Sequence, residues 1–427
     1  MATKPRLEGP RHDVVIAGGG PAGLTLGCYL AEAGLRAVVL EKLNHPRPHV
    51  GESLMPSAIR VAEEIGFAPL LDAAFPISGG VVYRPTEGVD HVLPYADFPR
   101  TNASPPHTYH VDRARFDMLL MKHAEALGCR IVQGVGVHEV IFDEDGCAQG
   151  VRASMAGQSV EVPARIVVDA AGRATRIGRQ LGLRRNHPVF DQFALHAWFI
   201  GVDRGDTPTE GYTNIFFLPE VRGWAWHTPI TREITSIGVV ASREVYKQIG
   251  GDGVEAFFTH ALGTNPKLAD ATRGAERIND LKGEVNYSYS LDRVCGDGWL
   301  AIGDAARFLD PVFSSGVSVA MHSARLSAEH IIAAISSDDV RRERFLAYED
   351  TMLSGAAIWD DFIRLFYRLL PSFTHLLDSE HRSAILRMIQ GETYDASDTA
   401  WLEEMRSMVR RVEESDGHPW KAELIEP

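Results

Sequence analysis

The chain has 427 residues, 45% hydrophobic and 23% charged, which is long enough for two or three units with well-filled cores. A formal net charge of −14 excludes a general nucleic-acid binder, because phosphate affinity needs a concentrated basic surface. Cys28, Cys129, Cys147 and Cys295 form no CxxC pair, so neither a zinc site nor a disulfide framework is expected and no metal is assigned. The first ten residues lack an apolar signal core and no run of 18 apolar residues occurs, so a cytoplasmic protein is expected.

Residues 12–42 read as one βαβ unit. Val14, Val15 and Ile16 predict a buried strand, a helix runs to about Glu32, Gly34 stops it, and a second strand ends in Glu41. Gly18, Gly20 and Gly23 fit G-x-G-x-x-G, with Pro21 and Ala22 inside the motif. Gly18 permits a tight turn, Gly20 lets a diphosphate approach the backbone, and Gly23 lets helix and strand pack closely. The helix N-terminus faces the diphosphate, and Glu41, followed by Lys42, stands where a ribose hydroxyl would be bound.

G-E-S-L-M-P follows at 51–56 and F-P-I-S-G-G at 75–80, the latter a turn by composition. Y-H-V-D-R-A-R-F-D (109–117) leads into a helix with Phe116, Leu119, Leu120, His123 and Leu127 on one face. Residues 165–178 predict a strand ending in Asp169 and a glycine turn. Between 188 and 245 four segments with period-two patterning predict consecutive antiparallel strands. In W-A-W-H-T-P, Trp224 and Trp226 share one strand face and His227 takes the other. Residues 297–324 read as a strand, a carboxylate at Asp304, a proline-containing loop and a long helix. The N–H groups of Ser315, Gly316 and Val317 lie at that helix start, where they can face an electron-rich ring. Beyond 345 the chain is helical, with an apolar stripe of Ile358, Phe362, Leu365, Phe366 and Leu369 expected to pack in the core. Arg341, Arg342 and Arg344, and Arg406, Arg410 and Arg411, read as helix-surface charge, with docking of an acidic partner as the alternative.

These returns to one Rossmann core resemble the FAD-binding domain of class A flavoprotein monooxygenases. The resemblance implies an α/β fold: a Rossmann-type, glutathione-reductase-like FAD domain with an inserted antiparallel β-sheet substrate domain and a helical C-terminal region. Its expected bounds are 1–185 and 275–345 for the FAD domain, with part of 75–110 joining the substrate domain, 186–274 for the sheet, and 346–427 for the helices. It also implies that Arg113 or Arg115 contacts the cofactor, that Asp304 binds the ribityl chain, and that residues 311–317 flank the ring.

G-E-S-L-M-P, D-P-V-F-S-S-G-V (310–317) and W-A-W-H-T-P narrow the resemblance to flavin-dependent halogenases of phenols, pyrroles and carrier-tethered substrates. The resemblance places Glu52 and Ser53 beside the flavin, and Pro311, Phe313, Ser314, Ser315, Gly316 and Val317 in the flavin and halide loop. Trp224, Trp226 and His227 would face or support the substrate. In that family a lysine in an aromatic-x-x-Lys-x-Gly stretch conveys the oxidised halogen, and here Ser78 occupies its register. A serine hydroxyl neither forms a haloamine nor donates a charged hydrogen bond.

From that absence the expected activity is an FAD-dependent monooxygenase on a halogenase-like scaffold. It would oxygenate an aromatic or carrier-protein-tethered intermediate of specialised metabolism with O2, through a flavin hydroperoxide. The alternatives are a halogenase with a non-standard delivering group, a flavin oxidase or dehydrogenase, and a non-catalytic flavin scaffold. No second G-x-G-x-x-G unit occurs, so NAD(P)H would act directly from a groove or through a partner flavin reductase. His196 and His227 are each a structural or a proton-transfer histidine.

Overall fold

The computed structural model describes residues 11–98, 105–285, 288–391, 394, 399–421 and 424; the first ten residues, with their expected lack of a signal core, lie outside this range. The chain forms two principal sheets. In the first, Trp299–Ala301, Gln158–Asp169, His12–Ala17, Ala37–Glu41 and Arg130–Gln133 lie side by side and parallel, with Cys295–Gly296 antiparallel at one edge. Val14, Val15, Ile16, Val38 and Val39 are almost wholly buried, as strands covered on both faces require. The helices Pro21–Glu32, Arg113–Ala126 and Ser315–Ser336 help cover this sheet.

The second sheet runs in the order Glu276–Arg277, Gln192–Ile200, Thr235–Ser242, Gly223–Pro229, Thr213–Leu218, Gly80–Arg84 and His91–Pro94. All four strands expected between 188 and 245 are present. The sheet is antiparallel except where Thr213–Leu218 runs parallel to Gly80–Arg84. It also recruits Lys282–Val285, beyond the span expected for it, against Gln192–Ile200.

Register assigns the faces, because directly paired residues point the same way. His196 pairs with Gly238 and Lys282, Trp226 pairs with Gly238 and Ile215, and Trp198 pairs with Ser236. These side chains therefore share one face with Trp224, Ala194 and Glu284, while His227 lies on the other. The C-terminal helices pack against that face through Phe362, Phe366, Phe373 and Trp401. The expected stripe is core: Phe362, Leu365, Phe366 and Leu369 are buried.

Both arginine clusters are largely paired within the chain. Arg341 and Arg344 meet Asp339, Arg342 meets Glu349, and Arg406 and Arg410 meet Glu403. Among the described residues no helix is long and apolar enough to cross a membrane.

Candidate active site

A cavity of about 510 Å³ joins the two sheets. One end is the glycine turn after His12–Ala17. Gly18 has φ +117°, and a Cβ there would lie 2.3 Å from the Ala170 carbonyl oxygen, so the turn requires glycine. At Gly23 a Cβ would lie 2.0 Å from the Gly18 oxygen, so this glycine serves close helix–strand packing. Gly18, Gly20, Pro21, Ala22, Glu41 and Lys42 line the cavity. The Glu41 carboxylate accepts the Gly19 N–H at 2.7 Å and the Leu43 N–H at 2.8 Å, holding the turn against the second strand.

Sequence reasoning did not single out Arg47, His49, Arg173 or Arg176, all of which line this end. Arg47 approaches Gly20, and its Nε is buried without a hydrogen-bond partner. Arg113 lines the cavity too; its guanidinium pairs with Asp117 at 2.9 Å and donates to the Val50 carbonyl at 2.8 Å. Arg115 points outward over the Phe75 ring instead. Asp304 sits in a short helical turn, and its carboxyl is pushed up to about 6 by burial, opposed by the charges of Arg173, Arg113 and Arg307. No protein hydrogen bond reaches that carboxylate among the described residues.

This set fits flavin adenine dinucleotide. A glycine-bounded helix N-terminus and an arginine with a free Nε, its other nitrogens 3.6–3.8 Å from Asp117 and Glu41, suit a diphosphate, and a half-buried carboxylate facing the cavity suits polyol hydroxyls.

At the other end Ala194, His196, Thr213, Ile215, Trp224, Trp226, Thr228 and Glu284 present the face of the second sheet. Glu52, Ser53, Pro311, Ser314, Gly316 and Val317 lie between the two ends. Ser314 holds a left-handed conformation, φ +56°, immediately before the helix Ser315–Ser336, leaving the first N–H groups of that helix at the cavity. Each tryptophan of the W-x-W strand ends on a buried carboxyl. Trp224 Nε1 donates to the Tyr367 hydroxyl at 2.5 Å, and that hydroxyl donates to Asp310 at 3.1 Å. Trp226 Nε1 donates to Ser236 Oγ at 3.1 Å, and the Ser236 side chain hydrogen-bonds to Glu52. Burial pushes both carboxyls up to about 7.

Several expected site residues lie elsewhere. Phe313 stacks on Phe362 at 4.8 Å and meets Phe366 and Trp359 edge-on, so it anchors the loop in the aromatic core. Ser315 is buried but does not line the cavity. His227 is on the far side of the sheet; burial holds it down at about 4, and Asn214 is 3.3 Å from its Nδ1. His110 is also neutral, pushed down to about 4 by burial, and bridges the Pro229 carbonyl and Thr213.

Ser78 is wholly buried in a two-residue strand paired with Thr108–Tyr109, and it too is outside the cavity lining. Its hydroxyl makes one long contact, 3.4 Å, to the Gly80 carbonyl. Lys282, carried on the second sheet, pairs with His196 and shares its face, but it is exposed and does not line the cavity. Glu284, two residues on, does line the cavity; it was missed because it is some two hundred residues from the G-E-S segment, and only strand pairing brings it there.

Comparison with known proteins agrees with this architecture. The tryptophan halogenase family model matches residues 92–373, and an NAD(P)-binding Rossmann-like domain model matches 16–53. A 1H-pyrrole-2-carbonyl-[peptidyl-carrier protein] chlorinase of Pseudomonas fluorescens is 40% identical, the alignment covering 96% of this chain and 95% of the relative. The corresponding brominase of Pseudoalteromonas luteoviolacea is 33% identical over 90% of this chain and 93% of its own. The structure of the flavin-dependent brominase Bmp2 superposes with a TM-score of 0.85 at 30% identity, covering 95% of this chain and all of that one.

These relatives overturn the oxygenase expectation. It rested on a single missing side chain, at a position that does not face the cavity, while the halogenase likeness runs through nearly the whole chain. The chain belongs to the tryptophan halogenase family of flavin-dependent enzymes.

Proposed function

We propose that the protein is a flavin-dependent halogenase acting on an aromatic ring held on a peptidyl carrier protein, of the pyrrole-2-carbonyl class. The observation that carries the reading is one cavity running from the glycine turn to the tryptophan-lined sheet, in a chain alike end to end to a pyrrolyl-carrier chlorinase.

The chain's own residues divide the work. Gly18, Gly20, Pro21 and Ala22, with Arg47, hold the diphosphate; Glu41 and Lys42 flank the ribose; Asp304 binds the ribityl hydroxyls. Pro311, Ser314, Gly316 and Val317 border the ring, and the free N–H groups at the start of Ser315–Ser336 hold a halide ion there. Reduced FAD, when bound, supplies with O2 the two-electron oxidation of that halide. Its electrons come from NAD(P)H, directly or through a partner flavin reductase. Ile215, Trp224 and Trp226 wall the far end with apolar surface and exclude water, while Thr213, Thr228 and the neutral His196 offer polar contacts to the ring substituents. The oxidised halogen crosses a shared cavity, so its delivery does not depend on position 78.

The test supplies purified protein with a flavin reductase, NADH, FAD, O2, bromide or chloride, and a carrier protein loaded with pyrrole-2-carbonyl. Intact-protein mass spectrometry then shows hydrogen replaced by halogen. A gain of one oxygen, or an unchanged carrier despite flavin turnover, would refute the reading. Free pyrrole-2-carboxylate in a parallel reaction reports whether the carrier is required.

A further inference from the structure

Four carboxylates line the cavity: Glu41, Glu52, Glu284 and Asp304. Three have evident duties. Glu41 accepts two backbone N–H groups, Glu284 is ion-paired with Arg173, and Asp304 stands at the dinucleotide end. Glu52 is different. It is 5% exposed, and its Oε1 accepts Trp198 Nε1 at 2.6 Å. It also hydrogen-bonds to Ser236, which accepts from Trp226. Trp198, Ser236 and Trp226 all belong to the sheet face that walls the substrate end. Two donors leave lone pairs of the carboxylate unused.

The charged surroundings of Glu52 are balanced. Arg113 favours its ionised form and Asp112 opposes it, while His110 and His196 are kept neutral by burial. Arg113 is committed to Asp117 and Val50 and forms no ion pair with Glu52.

We propose that Glu52 is the group that accepts the proton from the aromatic carbon undergoing halogenation; the inference rests on the halogenase reading above. The co-reactant is a hypohalous acid. A ring carbon's π electrons form the new carbon–halogen bond as the halogen–oxygen bond breaks, and hydroxide leaves with that bonding pair. The carbon–hydrogen bond then breaks, its electron pair restores the aromatic ring, and the proton goes to the Glu52 carboxylate. Transfer of that proton to hydroxide gives water, so the sum is arene plus hypohalous acid to haloarene plus water. The indole and hydroxyl donors of Trp198 and Ser236 hold the carboxylate against the sheet face while the proton arrives. Because burial places the carboxyl near 7, it is a base matched to neutral pH.

The holoenzyme is tested with the carrier-bound pyrrole, comparing wild type, Glu52→Gln and Glu52→Asp. Glu52→Gln is expected to slow halogenation ~100-fold or more. Its FAD affinity, and its output of oxidised halogen trapped by monochlorodimedone, should stay at wild-type levels, and Glu52→Asp should recover part of the rate. The wild-type rate should fall as pH drops through about 7, and Glu52→Gln should lack that limb. Independently of turnover, infrared titration of the apoprotein should show a protonated carboxyl appearing below about pH 7 that is missing from Glu52→Gln.

Ring halogenation by Glu52→Gln at the wild-type rate overturns the inference. So does loss of FAD binding in that variant, which would make Glu52 a cofactor residue, and so does an unchanged infrared titration. If wild-type protein makes no oxidised halogen, the halogenase reading falls and the inference falls with it. Oxidised halogen with an indifferent Glu52 removes the inference alone.

Discussion

The two ends of the cavity are built by different means. At the dinucleotide end the frame is backbone, a glycine turn and a helix N-terminus within 17–42, to which side chains such as Arg47 and Asp304 are added from elsewhere in the chain. At the substrate end they come from side chains on several strands, held by relays that end on Glu52 and Asp310. A backbone site tolerates no added atom, whereas a side-chain site is retuned by exchanging one member. That difference orders the expected effects of substitution.

The largest is at Gly18. Valine there would place Cβ 2.3 Å from the Ala170 oxygen at a φ that L-residues avoid. The expected cost is at least ~3 kcal/mol of stability, with flavin affinity down ~100-fold or more. Thermal denaturation and a flavin fluorescence titration measure both, and retention of flavin would break the contrast between the ends.

Gly238→Ala is the matching change at the sheet end. Its Cβ would lie 2.1 Å from the Trp226 ring, so the indole must move, at a cost of about 1–3 kcal/mol. The expected signature is a KM for carrier-bound substrate raised ~10-fold with flavin affinity unchanged. An equal loss of flavin would show the ends to be one cooperative unit.

Asp310→Asn probes the Trp224 relay through pH. Burial raises this carboxyl from 3.8 to about 7, so between those values the unfolded chain has released a proton that the folded chain retains. The folded state is thus favoured at low pH, and this group's contribution falls by about 1.4 kcal/mol per pH unit until it levels off above 7. The asparagine variant should lose that slope when urea midpoints are compared at pH 5 and pH 7. Persistence of the full slope would place the titration elsewhere.

Ser78→Ala should do least, changing stability by less than ~1 kcal/mol and leaving the product unchanged, because only one long hydrogen bond is lost. A change in product would return position 78 to the chemistry.

The sequence by itself determined the dinucleotide end. Gly18, Gly20, Gly23 and Glu41 lie within one βαβ unit, so their geometry follows from local turn and helix physics, and the structure places them as that physics requires. It also determined the four strands between 192 and 242 and their alternation, including the shared face of Trp224 and Trp226. Which residues meet across strands was decided by tertiary structure alone. Pairing carried Glu284 to the cavity, chain packing turned Phe313 into the aromatic core, and the Ser78 strand was buried against Thr108–Tyr109. The role of Glu52 was likewise invisible in G-E-S. A carboxyl becomes a base near neutrality only when the fold buries it; Trp198 and Ser236, distant in sequence, oppose that rise by their hydrogen bonds while holding the carboxylate in place.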